Sequence, residues 1–142
     1  IHGFYGYMVS FFRSLFSYKS SFFQIKVENK NISIRPYILM ISNTNKQGYG
    51  ISLSPNAKTN DGILNLIYLK KSNIFNLFYL IILVLLRFSI KKKSNVKYME
   101  LREFKITSKN NYINLQIDGE FVFSPKNELV VSVIPDAINV LC

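Results

Sequence analysis

The spacing of hydrophobic and polar residues changes period several times along the chain. Between Gly6 and Phe16, apolar residues recur at intervals of three and four, which predicts an amphipathic helix with an aromatic face. From Phe22 the period becomes two, which indicates strands. The polar run Glu28–Asn31 separates two such alternating segments and predicts a β-hairpin.

Further strands are predicted along the rest of the chain, bounded by polar, Gly- or Pro-containing segments. They cover Tyr37–Ser42, Ile51–Leu53, Ile63–Leu69, Val96–Leu101, Glu103–Thr107, Tyr112–Ile117 and Leu129–Pro135. Together the patterns give about eight or nine short strands and two helices. The predicted fold class is mainly β: an antiparallel β-sandwich or barrel-like domain with two helical inserts, α+β by content.

The most hydrophobic stretch is Ile74–Ile90, which we expect to be the second helix, with Ser72 or Asn73 as its N-cap. A helix of about 15 residues would be roughly 22 Å long, too short for roughly 30 Å of bilayer hydrocarbon. Two interpretations remain open: a buried core helix, or a helix lying on a membrane. Arg87 and the run Lys91–Lys93 would suit both the helix C-terminus and anionic headgroups.

The clearest local signal is Asp118–Gly119, which lies between two alternating runs. It predicts a hairpin with a type I′ turn, because both central residues of that turn need a positive φ. Glu120 follows at once and adds a carboxylate that a turn does not require. The pair is therefore either a plain hairpin tip or a turn that positions a functional carboxylate.

Composition narrows the chemistry. The 142 residues are enough for one domain, and the net charge of +10 indicates an anionic partner or a generally Lys/Asn/Ile-rich composition.

His2 is the only histidine in the sequence and Cys142 the only cysteine. A histidine-based triad, a zinc knuckle and a disulfide framework are therefore excluded, and we expect a reducing compartment. Ile1 opens a segment typical of internal sequence, so we expect a fragment whose N-terminal part is missing.

The remaining candidate chemistry is acidic. Asp61 and Asp118 each precede a glycine, and Glu120 adjoins the second pair. Carboxylates in tight turns can hold hard divalent cations together with main-chain carbonyls. A carboxylate can also act as a general base toward a hydroxyl.

The order of the motifs resembles the C-terminal domain of the diacylglycerol kinase/sphingosine kinase superfamily, particularly its soluble bacterial lipid kinases. The motifs that carry the resemblance are Asn43, Gly48–Gly50, Ser54–Ala57, Asn60–Leu64, Asp118–Glu120 and Val133–Val140. They span nearly the whole chain. Tyr49 interrupts the glycine-rich loop, and Ile74–Ile90 is more apolar than the family leads us to expect.

The resemblance implies a two-domain enzyme in which residues 1–142 are the C-terminal lipid-binding domain. The N-terminal domain, with its Gly-Gly-Asp-Gly-Thr nucleotide motif, is absent from this chain and would bind most of the ATP. Glu120 would be the general base that deprotonates the lipid hydroxyl. A structural Mg²⁺ would be bound by the Asp61 side chain and by the main-chain carbonyls of Lys58 and Ile63.

We therefore expect the C-terminal half of an ATP-dependent lipid kinase that phosphorylates diacylglycerol or a related lipid alcohol. Its partners would be the lipid and an anionic membrane surface, with a cytoplasmic, peripheral location, no nucleic acid, and a homodimer left open. This half alone should be inactive. The alternative is a non-catalytic lipid- or membrane-binding β-sandwich.

Overall fold

The computed structural model describes residues 13, 20–46, 52–135 and 137. Within them the chain forms nine strands and one helix that is described over its full length, α1, Ile74–Leu85. The strands are β1 Phe23–Val27, β2 Lys30–Ile34, β3 Pro36–Ser42, β4 Leu64–Lys70, β5 Val96–Leu101, β6 Glu103–Ser108, β7 Ile113–Ile117, β8 Glu120–Ser124 and β9 Glu128–Ser132. The mainly β, antiparallel fold predicted from the sequence is confirmed. Of the predicted helix over Gly6–Phe16, only Arg13 is among the described residues, and it is helical.

All of the strand pairs among the described residues are antiparallel, and they form three sheets. The first sheet has the order β2-β1-β6-β9, the second β3-β4-β5, and the hairpin β7-β8 is a sheet by itself. The chain passes between the two larger sheets at single residues: Arg35 separates β2 from β3, and Arg102 separates β5 from β6. Buried side chains of both sheets form one core cluster, so the two sheets pack face to face.

Strand β4 explains why the two larger sheets and the helix pack as layers. Its residues are buried from Leu64 to Tyr68, on both faces of the strand. Leu64, Leu66 and Tyr68 join Ile25 and Phe104 of the first sheet in one core cluster. Ile67, on the other face, packs instead with Leu80 of α1. A strand covered on both sides reads as a continuous apolar run, as the sequence of β4 does.

Helix α1 begins where the sequence predicts. Of the two predicted N-cap residues, Asn73 has the role: its Oδ1 accepts a hydrogen bond from the Asn76 amide at 2.8 Å. None of the helices in the described ranges is long and apolar enough to span a membrane.

The predicted C-terminal end of the helix, Ile90, is wrong, because α1 ends at Leu85. Arg87 has a φ of 61°, and its amide donates to the Val84 carbonyl at 3.0 Å, while the Phe88 amide donates to Leu83 at 2.8 Å. This is the paired bonding of a Schellman motif. Glycine usually occupies the left-handed position, so an arginine there gives no stop signal in the sequence.

Two other predictions need correction. Ser52 and Leu53 are not in a strand, and Ile51 lies outside the described residues. The Ala57 amide instead donates to the Ser54 carbonyl, forming a turn around Pro55. The first hairpin is also tighter than predicted, because Val27 pairs with Lys30 across a two-residue turn. Glu28 permits this turn by taking a φ of 50°.

Candidate functional site

An open cleft of about 890 Å³ brings together motifs that are distant in the sequence. It is lined by Asn43 after β3, by Asn60, Asp61 and Gly62 before β4, and by the segment after β9. The residues from that segment are Val133, Ile134, Pro135 and Ala137. The convergence explains why short motifs at these three places occur together in one chain.

Asp61 and Gly62 form a turn whose backbone is fixed by two local features. The Asp61 Oδ1 accepts a hydrogen bond from the Ile63 amide at 3.0 Å. Gly62 has a φ of 66°, and a Cβ at this position would lie 3.7 Å from the Cγ of Pro135. The turn therefore packs against the segment after β9 and holds the half-buried Asp61 carboxylate at the cleft.

The donor chemistry at Asp61 fits a hard cation. A carboxylate offers about four lone-pair positions, and one of them accepts the Ile63 amide hydrogen. Mg²⁺ in proteins commonly takes one or two carboxylates and completes its shell with other oxygens and water. Lys58 is exposed, so its cationic side chain can remain in solvent while its carbonyl is used. No cluster of three or more His, Cys, Asp or Glu side chains occurs among the described residues, so a cation here would depend on main-chain oxygens.

Glu120 lies elsewhere, at the tip of the β7-β8 hairpin. It pairs with Ile117, and the two residues between them have φ values of 49° for Asp118 and 97° for Gly119. These positive angles are those of the type I′ turn predicted from the sequence. The side-chain amide of Gln116 donates to the Gly119 carbonyl at 3.2 Å and further holds the turn.

The hairpin presents an exposed surface around Glu120. Glu120 itself is exposed, as are Phe121 and Phe123 on the same strand. Glu120 is not among the residues that line the Asp61 cleft. The structure thus supplies two carboxylate positions on two different turns, and the sequence-predicted residues do not form one compact site. Gly48–Gly50 lies outside the described residues.

The structure also shows two features that the sequence analysis missed. Arg102 lines the Asp61 cleft, and its carbonyl accepts a hydrogen bond from the Val133 amide at 3.1 Å. Its only sequence signal is its position at the break between two alternating runs.

The second missed feature is a cavity of about 240 Å³ between α1 and the β3-β4-β5 sheet, with a lining that is almost wholly apolar. The lining residues are Ile38, Met40, Leu53, Ile67, Leu69, Leu77, Leu80, Ile81, Val84, Leu85, Ile90 and Val96. A filled core and an open apolar cavity use the same residue types, so the sequence could not distinguish them.

The two facing sheets, with a cleft at their connecting loops, define a β-sandwich domain of the kind found in NAD kinase-like proteins. The chain belongs to the family described as the YegS C-terminal NAD kinase beta sandwich-like domain, whose model matches residues 2–142. The resemblance stated from the sequence motifs is thereby confirmed.

Solved structures similar to this chain include three from Bacillus anthracis str. Sterne. Two are described as a "putative diacylglycerol kinase": one has a TM-score of 0.67 and 19% identity over 92% of this chain, and the other a TM-score of 0.66 and 19% identity over 89%. The third, described as a diacylglycerol kinase, has a TM-score of 0.59 and 16% identity over 85% of this chain. At these identities the likeness shows the fold. No curated protein matches the chain.

The chain spans less than half the length of these structures: 44%, 43% and 43% of the three chains.

Proposed function

We propose that this chain is the lipid-binding and base-supplying half of an ATP-dependent lipid kinase that phosphorylates diacylglycerol or a related lipid alcohol. Family membership supports a kinase-type domain. The observation that carries the lipid assignment is the apolar cavity beneath α1. Hydrocarbon is the ligand chemistry that fits a lining with almost no polar surface.

The position of Glu120 supports its role as the general base. Its exposed carboxylate projects from a turn whose backbone is restricted by two positive φ angles. In the proposed reaction, Glu120 accepts the proton of the lipid hydroxyl as that oxygen attacks the γ-phosphorus of ATP, and ADP leaves. ATP would be bound mainly outside this chain. Phe121 and Phe123, on the opposite face of β8 from Glu120, are exposed as well, which leaves apolar surface on this hairpin available for contact with another part of the enzyme.

The test of the base is Glu120→Gln in the full-length protein, assayed for phosphate transfer from ATP to diacylglycerol and to sphingoid bases. General-base catalysis contributes about 10²- to 10⁴-fold, so kcat should fall by that factor while the KM for ATP stays within about twofold. Glu100→Gln is the matched control, since Glu100 is an exposed carboxylate on β5. Unchanged transfer by Glu120→Gln would reject the role. Lipid binding without transfer by the wild type would favour the non-catalytic module.

We also propose Asp61, with the carbonyls of Lys58 and Ile63, as a Mg²⁺ site. The bound ion would supply positive charge that fixes the turn and the cleft. Asp61→Asn is the sharper test, because its amide oxygen can still accept the Ile63 hydrogen bond while the charge is lost. Mg²⁺ should raise the Tm of the wild type and not of the variant, with similar Tm values in its absence. A wild-type Tm that ignores Mg²⁺ would leave Asp61 as a turn residue only.

A further inference from the structure

Helix α1 is apolar on the side that faces solvent as well as on the side that faces the sheet. Leu77 and Leu80 are buried against the sheet. Phe75, Tyr79, Ile82 and Leu86 recur at intervals of four, three and four, which places them on one stripe of a helix. We call these four residues the outer helix face. All four are exposed, Phe75 by 79% and Leu86 by 62%.

A helix at the surface of a globular domain ordinarily carries polar residues on its solvent side. Here the sequence from Ile74 to Leu85 contains no charged residue. Leu85 and Phe88 extend the exposed apolar surface at the C-terminal end of the helix. A continuous apolar surface of this kind marks an interaction site.

The basic segment, defined as Arg87 and Lys91–Lys93, lies directly beside this surface. The Lys93 amine donates a hydrogen bond to the Tyr79 hydroxyl at 2.9 Å and lies 5.0 Å from the centre of its ring. Arg87 and Lys92 are exposed. The contact between Lys93 and Tyr79 shows that the chain after α1 returns along the helix and places the Lys93 cation at the rim of the apolar face.

The local charge is strongly one-sided. Residues 62–99 contain seven Lys and Arg residues and no Asp or Glu, so this part of the sequence carries seven of the ten net positive charges. Exposed aliphatic and aromatic side chains rimmed by cations complement a bilayer surface, which offers hydrocarbon below a layer of anionic headgroups. A two-fold contact between two copies through this face would bring two basic segments together and is electrostatically disfavoured.

We propose that the outer helix face and the basic segment bind the surface of an anionic phospholipid bilayer, with α1 parallel to the membrane plane. The proposal extends the proposed kinase function, because a lipid substrate must be reached at the bilayer surface, but binding itself requires neither ATP nor Glu120. The sequence of Ile74–Ile90 left open a buried core helix or a helix lying on a membrane. Under this proposal, the inner face of α1 belongs to the core and its outer face lies on the membrane.

The experiment is flotation of the full-length protein, without ATP, with vesicles of phosphatidylcholine alone or mixed with phosphatidylglycerol. Binding should require phosphatidylglycerol and weaken between 0.1 and 0.5 M salt, roughly the range over which exposed charges become screened. Arg87→Gln with Lys92→Gln should weaken binding roughly 30-fold, about fivefold per charge. Phe75→Ser with Leu86→Ser should weaken it at least about tenfold.

Matched controls remove similar groups at distant positions. Lys30→Gln with Lys126→Gln removes two exposed charges, and Val130→Ser removes an exposed apolar side chain. These variants should bind as the wild type does. Circular dichroism and Tm verify folding, and if the Phe75/Leu86 variant does not fold, the charge variant and the salt series still decide the question.

Equal binding to both vesicle types, or equal losses in the controls, would overturn the proposal. So would a Phe75/Leu86 variant that changes the oligomeric state by light scattering and leaves vesicle binding intact, since the face would then join two copies. Glu120→Gln should bind vesicles normally. Vesicle binding without any phosphate transfer by the wild type would count against the proposed kinase function alone.

Discussion

Replacement of Gly119 by alanine tests whether the hairpin that carries Glu120 is held by its turn. Gly119 has a φ of 97°, and an added Cβ would have no heavy atom within 4 Å. The cost is therefore one of backbone conformation and not of collision. A left-handed conformation costs an ordinary residue about 1–2 kcal/mol, and the lower entropy of unfolded alanine offsets about 0.4–1 kcal/mol of this.

The net loss should be about 1 kcal/mol, a factor of about five in an opening equilibrium. This loss should appear locally, because among the described strands β7 and β8 pair only with each other, and they expose much of their surface. Hydrogen exchange at the Ile117 and Glu120 amides should accelerate about fivefold, while exchange at buried Phe104 of β6 stays unchanged. Gly119→Asn is the matched control, because asparagine tolerates the left-handed region and should show a smaller effect.

Unchanged protection at the turn amides of Gly119→Ala would refute the claim that the turn conformation holds the hairpin. Equal acceleration at Phe104 would refute the claim that the hairpin opens independently of the two-sheet core.

Three further predictions concern the core, the helix end and alkaline pH. Leu66→Ala removes a fully buried side chain between the sheets and should lower the free energy of unfolding by about 2–5 kcal/mol, measured by urea titration. The control Leu85→Ala removes an exposed side chain and should lower it by about 0.5 kcal/mol. Similar losses in the two variants would contradict the layered core. Arg87→Gly removes the strain of a non-glycine residue at a φ of 61° and should raise the free energy of unfolding by about 0.5–1 kcal/mol. Thermal melting measures the change. A lower Tm would mean that the arginine side chain stabilises the fold by more than the strain costs. Burial raises the pKa of Tyr98 above 10.0, so the unfolded state loses this proton first and stability should fall as the pH rises above about 10 and through the higher folded pKa. Tyr98→Phe should show a smaller alkaline loss, and parallel pH curves would exclude this contribution.

The strands were predictable because each has its own period. The alternation in β1, β6 and β7, and the continuous apolar run of β4, correspond to strands covered on one face and on both faces. What failed depended on tertiary context. Glu28 and Arg87 both adopt a left-handed backbone conformation, which shortens the first turn and ends α1 early. Neither residue is of a type that usually takes this conformation, so nothing in the sequence indicated either change.

The candidate site was predictable in part. Asp118–Gly119 identified the turn because its chemistry is local. The convergence of Asn43, Asp61 and Pro135 on one cleft depends on how β3, β4 and the segment after β9 meet, and spacing in the sequence does not encode that. Arg102 was missed for the same reason.

Helix α1 shows why a single hydrophobicity value could not decide between core and membrane surface. Apart from Asn76, the sequence of α1 is apolar on all sides, so its composition fits either environment. The fold gives the two sides of the helix different surroundings. Leu77 and Leu80 are buried on the sheet side, while Phe75 and Leu86 lie in solvent and Lys93 bonds to Tyr79 on the same outer face. The inner side also lines the apolar cavity. If the outer side lies on a bilayer as proposed, a helix of 12 residues is long enough, because an interfacial helix lies parallel to the membrane surface and does not have to cross it. The cavity proposed for the lipid would then open one helix thickness, about 10 Å, from the membrane that supplies it.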